Sequence, residues 1–391
     1  MPAAYIVSPL RTPVGKAFKG GLRTKRPDDF CADVIRAVVK QSGVDPALIE
    51  DVILGCAMPE GDQGMNVARF ALLLAGLPER VPGVTVNRFC SSGLQTIGMA
   101  AAAVKAGDMD CVLAGGTESM TMVPMMGFKP VGSRTINDIH PDFYLGMGMT
   151  AENVAKEYKI SREDQDRFSY ESNIKAAAAI EQGLFKAETV AIDTSFRSPG
   201  ANGAVKIDQA TFSVDDGPRA DTTVEVLGKL RPAFLAGGSV TAGNSSQMSD
   251  GAAMALVCSE AFVKKHNLQP MARLLSFAVA GVPPRIMGIG PVEAIPLALK
   301  KAGLKLGQID RVELNEAFAS QALAVLRTLQ IDPTKVNKTG GAIALGHPLG
   351  ATGAKLTATL LHGMRRDKEK YGVVSMCIGT GMGAAGVFEL L

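Results

Sequence analysis

The six residues Ile49-Glu50-Asp51-Val52-Ile53-Leu54 have a counterpart 260 positions further along the chain, Ile309-Asp310-Arg311-Val312-Glu313-Leu314. Both stretches are rich in β-branched and apolar residues, as expected of short buried strands. Each is preceded by a strand-like stretch and then a helix-like stretch. These are residues 4–7 and 28–41 in the first case, and 271–279 and 291–302 in the second. The recurrence of this order predicts two similar units in one chain.

The repetition continues beyond the paired strands. A helix-like stretch follows each of them, and then a turn with glycine, a second helix and an apolar strand that ends in glycines. The helix-like stretches are 66–75 and 317–329, and the apolar strands are 111–114 and 373–376. Alternating strands and helices predict α/β units built around mainly parallel sheets, with a pseudo-twofold axis between the halves.

Residues from about 117 to about 249 have no counterpart in the second half. We interpret them as an insertion that serves as a lid or substrate-binding unit, within which residues 151–182 are expected to form a polar helix. The expected division is therefore 1–118 with 250–269 as the first half, 119–249 as the inserted loop domain and 270–391 as the second half. Methionines of the insertion suit either core packing or contact with a lipid chain.

Composition narrows the classes of function. The chain has 391 residues, of which 47% are hydrophobic and 20% charged, and its formal net charge is +3. These values are typical of a globular protein, and they favour neither nucleic-acid binding nor a membrane span. The amino-terminal residues do not resemble a secretory signal, and the carboxyl-terminal residues do not resemble a peroxisomal Ser-Lys-Leu signal. We therefore expect a cytoplasmic protein.

Six cysteines are scattered singly, without a CxxC pair and without histidines at metal-ligand spacing. This pattern predicts reduced thiols, no disulfide framework and no metal site. Cys90 stands out because it directly precedes Ser91-Ser92-Gly93-Leu94, which is expected to lead into a buried helix of small residues. A thiol at the amino end of a helix, or beside a histidine, is expected to have a lowered pKa and to react as a thiolate. The alternative is an inert buried cysteine.

His347 lies between two glycine-containing stretches, Gly340-Gly341-Ala342-Ile343-Ala344-Leu345-Gly346 and Pro348-Leu349-Gly350. A histidine on such a rigid loop suits a catalytic base, whereas a lone histidine is more often structural. The repeat places its turn opposite the Cys90 turn. Cys377 follows an apolar strand and precedes a formal GxGxxG at 381–386, but a strand and the end of the chain follow. The dinucleotide interpretation therefore fails.

The motifs of this chain resemble the thiolase family over essentially the whole chain. They are Arg11-Thr12-Pro13, 87–93, 115–120, 243–246, Asn315-Glu316-Ala317-Phe318, Gly346-His347-Pro348 and 377–383. The resemblance implies the thiolase fold, two α/β halves in α-β-α-β-α layers with an inserted loop domain. It also implies coenzyme A thioesters as substrates, no resident cofactor or metal, and a homodimer or homotetramer. A β-oxidation partner subunit is compatible with the family.

The resemblance also implies roles for single residues. Cys90 would be the acylated nucleophile, His347 its base and Cys377 the second acid and base. Asn315 would hold a water that stabilises the enolate oxygen, and the backbone N–H groups of Cys90 and Gly379 would form the oxyanion hole. Family similarity further places Ser246 near the pantetheine of coenzyme A and Arg219 near its adenine end.

Three alternatives to a degradative thiolase are weighed. Gly146 stands where biosynthetic acetoacetyl-CoA thiolases tend to carry histidine, so thiolytic cleavage of broader or longer 3-ketoacyl-CoA substrates in fatty-acid β-oxidation is favoured over condensation of two acetyl-CoA. A decarboxylating condensing enzyme would usually have His or Asn in place of Cys377. A non-catalytic protein that binds coenzyme A or lipid would be expected to lack a catalytic group, yet all are present.

Overall fold

The computed structural model describes residues 3–199 and 204–391. Ten strands form one mixed sheet in the order β10-β11-β12-β9-β1-β8-β5-β3-β4, with β2 paired to β8, and β6 pairs with β7 separately. The strands are β1 (Ala4–Arg11), β2 (Gly15–Lys16), β3 (Asp51–Gly55), β4 (Gly83–Val86), β5 (Cys111–Ser119), β6 (Ile192–Pro199), β7 (Val205–Phe212), β8 (Ser249–Ser259), β9 (Ala272–Gly281), β10 (Arg311–Leu314), β11 (Tyr371–Ile378) and β12 (Met382–Leu390).

Twelve helices accompany the strands within the described residues. They are α1 (Pro27–Ser42), α2 (Val67–Leu74), α3 (Ser92–Ala106), α4 (Arg134–Ile139), α5 (Met147–Glu157), α6 (Arg162–Glu181), α7 (Val224–Gly228), α8 (Glu260–Lys265), α9 (Gly290–Ala302), α10 (Ala319–Leu329), α11 (Ala342–Leu345) and α12 (Thr352–Asp367). No helix of residues 3–199 and 204–391 is both long and apolar enough to cross a membrane.

The predicted repeat is visible in the strand order. The series β3-β5-β8-β1 is matched from the other edge by β10-β11-β12-β9, and the two halves meet where β1 pairs with β9. That junction is short, with only Tyr5 opposite Arg273 and Ile6 opposite Ala272. The stretches aligned at the start therefore become β3 and β10, equivalent strands of two pseudo-symmetric units.

The expectation of mainly parallel sheets is wrong. Strands β3, β4 and β5 are parallel to one another and β10 is parallel to β11, but β8 and β12 each return antiparallel between their neighbours. Strand β8 lies between β5 and β1 in the first half, and β12 lies between β11 and β9 in the second. Apolar strands buried on both faces read alike in either direction, so the residue pattern did not reveal the reversal.

Helices cover both faces of each half of the sheet. Helices α1 and α2 pack on the first half and α9 on the second, while α3 and α12 contact each other and strands of both halves. The backbones of these two helices come close at Gly93 and Gly353, where an added Cβ would lie 2.7 Å from the nitrogen of Ala354 and 2.2 Å from that of Leu94. The α-β-α-β-α layering is thus confirmed, and the two central helices bring their amino ends together.

The inserted region differs from its expectation in one helix. The single helix expected over 151–182 is two helices, α5 and α6, which are separated by a turn in which Lys159 has a φ of 53°. Ser161 ends the turn, since its side chain accepts a hydrogen bond from the N–H of Asp164 and caps α6. Serine is a preferred N-cap residue, so Ser161 was a recognisable signal for this break.

Candidate active site

Cys90 lies in a short 3₁₀ turn, Phe89–Ser91, immediately before α3. Phe89 has a φ of 45°, an unusual value for a side chain of this size. The carboxamide of Asn87 supports the turn, because its oxygen accepts the N–H of Phe89 at 2.8 Å and its nitrogen donates to the carbonyl of Ala57 at 3.0 Å. The sequence prediction of a thiol at the amino end of this helix is confirmed.

The sulfur of Cys90 faces backbone N–H groups from both halves of the protein. The backbone N–H groups of Gly379 and of Cys90 itself favour the ionised form of the thiol, but burial acts more strongly and raises the pKa to about 11. The expected lowering of this pKa is therefore wrong for the resting site. Desolvation of a charged sulfur outweighs two neutral donors, so the thiol needs a base when it reacts.

His347 lies between α11 and α12, in a segment that begins with a glycine conformation. Gly346 has φ 86° and ψ 163°, a region that is essentially restricted to glycine. An added Cβ there would lie 2.3 Å from the hydroxyl of Ser249. The same hydroxyl accepts the backbone N–H of His347 at 3.1 Å, so β8 fixes the position of the histidine backbone.

The imidazole of His347 has a partner at each nitrogen. Its Nδ1 lies 2.6 Å from the hydroxyl of Thr352, which also lies 2.9 Å from the carbonyl of Pro348. The hydroxyl has a single hydrogen and the carbonyl can only accept it, so Nδ1 donates to Thr352 and Nε2 keeps its lone pair. Burial, with a further contribution from Lys355, lowers the pKa of His347 to about 3. The ring is therefore neutral in the resting site, and the low pKa shows that its buried environment disfavours the protonated form.

Asn315 follows β10 and is completely buried. Its backbone N–H donates to the carbonyl of Ser375 at 2.9 Å, and its side-chain nitrogen lies 3.3 Å from Nε2 of His347. The side-chain oxygen of Asn315 is buried without a hydrogen-bond partner. A buried unpaired acceptor is costly, and this arrangement suits a site that is completed by another polar group.

Cys377 lies near the end of β11. It packs in a cluster of buried apolar side chains, which comprises Ala151, Val240, Met287, Ala317, Phe318 and the partly buried Met147. Burial raises the pKa of Cys377, and the charge of Cys90 raises it further. The two thiols thus influence each other, although 287 positions separate them along the chain.

Gly379 occupies the turn between β11 and β12. The next two residues have positive φ angles, 68° at Thr380 and 89° at Gly381, and the turn directs the N–H of Gly379 toward Cys90. A Cβ on Gly379 would meet only the sulfur of Met147 at 3.8 Å and Phe89 at 3.9 Å. The position therefore leaves space beside the thiol.

Of the two residues assigned to coenzyme A, Ser246 borders the apolar cluster around Cys377, and Arg219 lies in another pocket. The N–H of Ser246 donates to the carbonyl of Ala317 at 2.9 Å, which ties the inserted region to the wall around Cys377. Arg219 is exposed and lines a small pocket with Gly243. Lys16 lies close enough to Arg219 for the two charges to interact. Burial, and then the charge of Arg219, lower the pKa of Lys16. Sequence reasoning missed Lys16, which has no distinctive local pattern.

Sequence reasoning also missed the buried carboxylate of Glu118. It accepts N–H groups of Ala57 at 2.7 Å and Gly350 at 2.7 Å, and the side-chain amide of Gln63. Burial raises its pKa, while these donors oppose that effect. Glu118 therefore joins the loop after β3 to the turn that follows His347. An acidic residue inside the apolar strand β5 was the available signal.

Glu316 has a matching role in the second half. Its carboxylate accepts the hydroxyl of Ser172 at 2.7 Å, the side-chain amide of Asn337 at 2.7 Å and the N–H of Ile343 at 3.3 Å. These bonds hold α11, and with it the segment leading to His347, against the inserted helix α6. The sequence shows Glu316 directly after Asn315, but its role in holding α11 became visible only from its contacts with distant residues.

The assembled site contains two thiols, a neutral imidazole whose Nε2 lone pair faces the side-chain nitrogen of Asn315, and N–H groups around one sulfur. Such a combination suits acyl transfer through a thioester, since a base can activate the nucleophile and the N–H groups can stabilise a developing oxyanion. Among the described residues, no group of three or more His, Cys, Asp or Glu side chains could hold a metal ion.

Comparison with known proteins places this site in a family. The model of the thiolase N-terminal domain matches residues 4–261, and the model of the thiolase C-terminal domain matches residues 268–390. The chain belongs to the thiolase family and is an acyltransferase.

Similar proteins cover the full length of the chain. A 3-ketoacyl-CoA thiolase of Bacillus subtilis (strain 168) is 54% identical over 390 residues, and the alignment covers 100% of both chains. The peroxisomal 3-ketoacyl-CoA thiolase B of Rattus norvegicus is 47% identical, with 98% of this chain and 90% of the relative covered.

Two solved structures have the same fold. One is the acetyl-CoA acetyltransferase of Bacillus anthracis, with a TM-score of 0.91, and the other is human mitochondrial 3-ketoacyl-CoA thiolase, with a TM-score of 0.90. Each is 40% identical to this chain, and each alignment covers 100% of this chain and 99% of the other.

Proposed function

We propose that Cys90, His347 and Cys377 carry out the thiolytic cleavage of a 3-ketoacyl-CoA by coenzyme A, the β-oxidation reaction that yields acetyl-CoA and a shortened acyl-CoA. The observation that carries this proposal is the contact between Gly379 of the second half and the thiol of Cys90 of the first. It brings the nucleophile, an oxyanion donor and the second thiol to one place. The names of the relatives from Bacillus subtilis and Rattus norvegicus support the same reaction.

The first half-reaction forms an acyl-enzyme. Nε2 of His347 takes the proton of the Cys90 thiol, and the thiolate attacks the keto carbon of the substrate. The N–H groups of Cys90 and Gly379 stabilise the tetrahedral oxyanion, and a donor of this kind typically lowers a barrier by about 3 kcal/mol. The C2–C3 bond then breaks, and the electron pair leaves with the acetyl-CoA fragment as its enolate.

The enolate must be stabilised and then protonated. The protonated His347 and a water held by Asn315 donate to its oxygen, and the buried side-chain oxygen of Asn315, which has no hydrogen-bond partner among the described residues, can accept a hydrogen bond from that water. Cys377 gives its proton to the carbon and becomes a thiolate. The raised pKa of Cys377 favours its neutral form before this step, so the proton is present when the carbanion forms.

The second half-reaction returns every proton. Cys377 removes the proton of the incoming coenzyme A thiol, and the resulting thiolate attacks the acyl group on Cys90. Collapse of the tetrahedral intermediate releases the shortened acyl-CoA and a Cys90 thiolate, which recovers its proton from His347. Two thiols are needed because one carries the acyl group while the other moves protons. Coenzyme A is thus a substrate, and the proposed cycle uses no resident cofactor or metal.

Substrate length and direction form a further part of the proposal. A Cβ added to Gly146 would meet no atom within 4 Å, which supports space for a longer acyl chain beside Met147. Biosynthetic condensation of two acetyl-CoA uses the same groups in reverse, and it is the second candidate because of the acetyl-CoA acetyltransferase structure from Bacillus anthracis. Activity across a series of 3-ketoacyl-CoA chain lengths supports the first, whereas activity confined to acetoacetyl-CoA supports the second.

Contacts with coenzyme A and the setting of the enzyme complete the proposal. Ser246 contacts the pantetheine and Arg219, with Lys16 nearby, the adenine and phosphate end, where two cations suit an anion. The proposed domains are a first half of residues 1–118 and 250–269, an inserted loop domain of residues 119–249 and a second half of residues 270–391. The enzyme acts in the cytoplasm as a homodimer or homotetramer, and a β-oxidation partner subunit fits this role. The bacterial relative supports the compartment.

The test is incubation with acetyl-CoA, followed by intact-mass and peptide analysis. The expected result is one acetyl group per chain on the peptide containing Cys90, and its loss in Cys90→Ala. Acetylation that survives this substitution would refute the assignment of the nucleophile. An unacetylated wild-type chain that still binds coenzyme A would favour the non-catalytic binding protein instead.

A further inference from the structure

The inserted region contains a short loop that closes on itself beside Cys377. We call residues 232–241 the strap. Its two ends pair at Pro232 and Thr241, and the N–H of Ala233 donates to the carbonyl of Val240 at 2.9 Å. A tight turn at the far end includes Gly237, whose φ is 73°. The strap is thus a small closed loop with a base and a tip.

The base of the strap is fixed to helix α5. The buried carboxylate of Glu152 accepts the N–H of Ser239 at 3.0 Å and that of Val240 at 2.8 Å. An added Cβ on Gly238 would lie 2.2 Å from the same carboxylate. These contacts leave little freedom at the base, because charge-assisted hydrogen bonds to backbone groups are strong when buried.

The side chain of Phe234 packs the tip of the strap against the rest of the protein. The ring of Phe234 sits directly on Gly148 in the first turn of α5, where an added Cβ would lie 2.1 Å from the ring. On another side the ring packs edge-to-face against Phe318, at 6.0 Å between centroids. The rest of its surface is open, since Phe234 and Leu235 are each 45% exposed.

This packing connects the tip to the catalytic thiol. Phe318 and Val240 belong to the same buried cluster as Cys377 and Met287. Val240 of the strap therefore forms part of the wall around the thiol of Cys377. The partly exposed ring of Phe234 packs against Phe318 of the same wall. Exposed large apolar side chains beside a reactive group suit contact with an apolar part of a substrate.

We propose that Gly148 is a specificity-determining residue that sets the length of acyl chain the enzyme accepts, because it is the seat of the Phe234 ring. The inference rests on the proposed thiolysis. With glycine at position 148 the ring lies against α5 and leaves the approach to Cys377 open. A side chain at position 148 would displace the Phe234 ring from α5. Because Phe318 blocks the ring on another side, the ring would move into the path by which the acyl chain approaches Cys377.

The experiment compares Gly148→Ala with wild type over a series of 3-ketoacyl-CoA substrates from four to sixteen carbons. The ratio of kcat/KM for the longest substrate to that for acetoacetyl-CoA is expected to fall about tenfold or more, while kcat for acetoacetyl-CoA changes by about threefold at most. Gly307→Ala is the matched control. A Cβ at Gly307 would meet no atom within 4 Å, so its profile should equal that of wild type.

A double variant distinguishes displacement of the Phe234 ring from a general loss of activity. Replacing the ring in Gly148→Ala/Phe234→Ala should restore the chain-length profile, because the displaced group is gone. If Gly148→Ala fails to fold, Phe234→Ala alone carries the test, with a profile shifted toward longer chains. An equal loss at every chain length, or an unchanged profile in Phe234→Ala, would overturn the role of Gly148. Absence of wild-type thiolysis would instead refute the proposed function.

Discussion

The hydroxyl of Thr352 lies 2.6 Å from Nδ1 of His347 and 2.9 Å from the carbonyl of Pro348, so that one side chain on the first turn of α12 determines which nitrogen of the imidazole faces the reaction. With Nδ1 protonated, Nε2 keeps its lone pair toward Asn315 and the substrate. The arrangement is local to α12 and does not depend on a charged partner.

Replacing Thr352 should therefore impair catalysis more than folding. Thr352→Val keeps the shape but removes the acceptor for Nδ1–H, and the wrong tautomer then becomes accessible. We expect kcat to fall by about 10²-fold, within the range that general base catalysis contributes. Steady-state thiolysis measures this, with Thr352→Ser as the control that should retain activity. Equal activity of the Val and Ser variants would contradict the role of Thr352.

The pKa of Cys90 predicts how the free enzyme reacts with alkylating agents. With a pKa of about 11, only about one thiol in 10³ is ionised at pH 8. Alkylation of Cys90 by iodoacetamide should therefore rise about tenfold per pH unit between 7 and 9, without a plateau. Peptide mass spectrometry over time gives the rate at this cysteine. A rate that is independent of pH in this range would reveal a thiolate already formed at rest.

Gly346 should tolerate no side chain. Gly346→Ala combines a backbone conformation that costs about 1–3 kcal/mol with a Cβ placed 2.3 Å from the hydroxyl of Ser249. The expected result is a loss of about 2 kcal/mol or more in the free energy of unfolding, together with reduced kcat because His347 moves. Urea denaturation and steady-state kinetics measure the two effects.

A control for this substitution is Gly107→Ala. Gly107 also has a positive φ, 82°, but an added Cβ there would meet nothing within 4 Å. This variant should lose only about 1 kcal/mol and keep full activity. A similar loss of activity in both variants would show that strain alone, without displacement of His347, accounts for the effect.

Glu313 predicts a pH dependence of stability. Burial raises its pKa to about 7, although the cations Arg311 and Lys355 oppose this; Glu188 and Glu316 raise it further. Folding therefore favours the protonated carboxyl. This contribution is full below the ordinary carboxyl pKa and is lost as the pH rises through about 7. One oxygen of the carboxylate is also buried without a hydrogen-bond partner, although the guanidinium of Arg311 lies 3.8 Å away.

The variant that tests this is Glu313→Gln, which keeps the shape and cannot ionise. It should be more stable than wild type at pH 8, by about 1–3 kcal/mol in the free energy of unfolding, and similar to wild type at pH 5. Glu225→Gln, at an exposed position where hydrogen bonds lower the carboxyl pKa, should show no gain in stability at pH 8. A Gln variant that is less stable at pH 8 would mean that Arg311 and Lys355 depend on the charge of Glu313.

Particular residues show how far the sequence could predict this site. Cys90 at a helix start and His347 on a glycine-rich loop were recognisable because turn and cap chemistry is local. Glu118 and Lys16 were not, since their importance lies in groups from distant parts of the chain that surround them. The break between α5 and α6 had a local signal at Ser161, which the long polar pattern obscured.

Periodicity, turn residues and motifs over short distances were enough to predict the repeated strands and helices, an inserted region and the candidate reactive side chains. Only the tertiary structure decided that β8 and β12 run antiparallel between their neighbours, and that Gly379 faces the thiol of Cys90. It also decided the direction of the Cys90 pKa, which burial raises. Burial and strand pairing depend on contacts between residues far apart in the chain, and no local pattern encodes them.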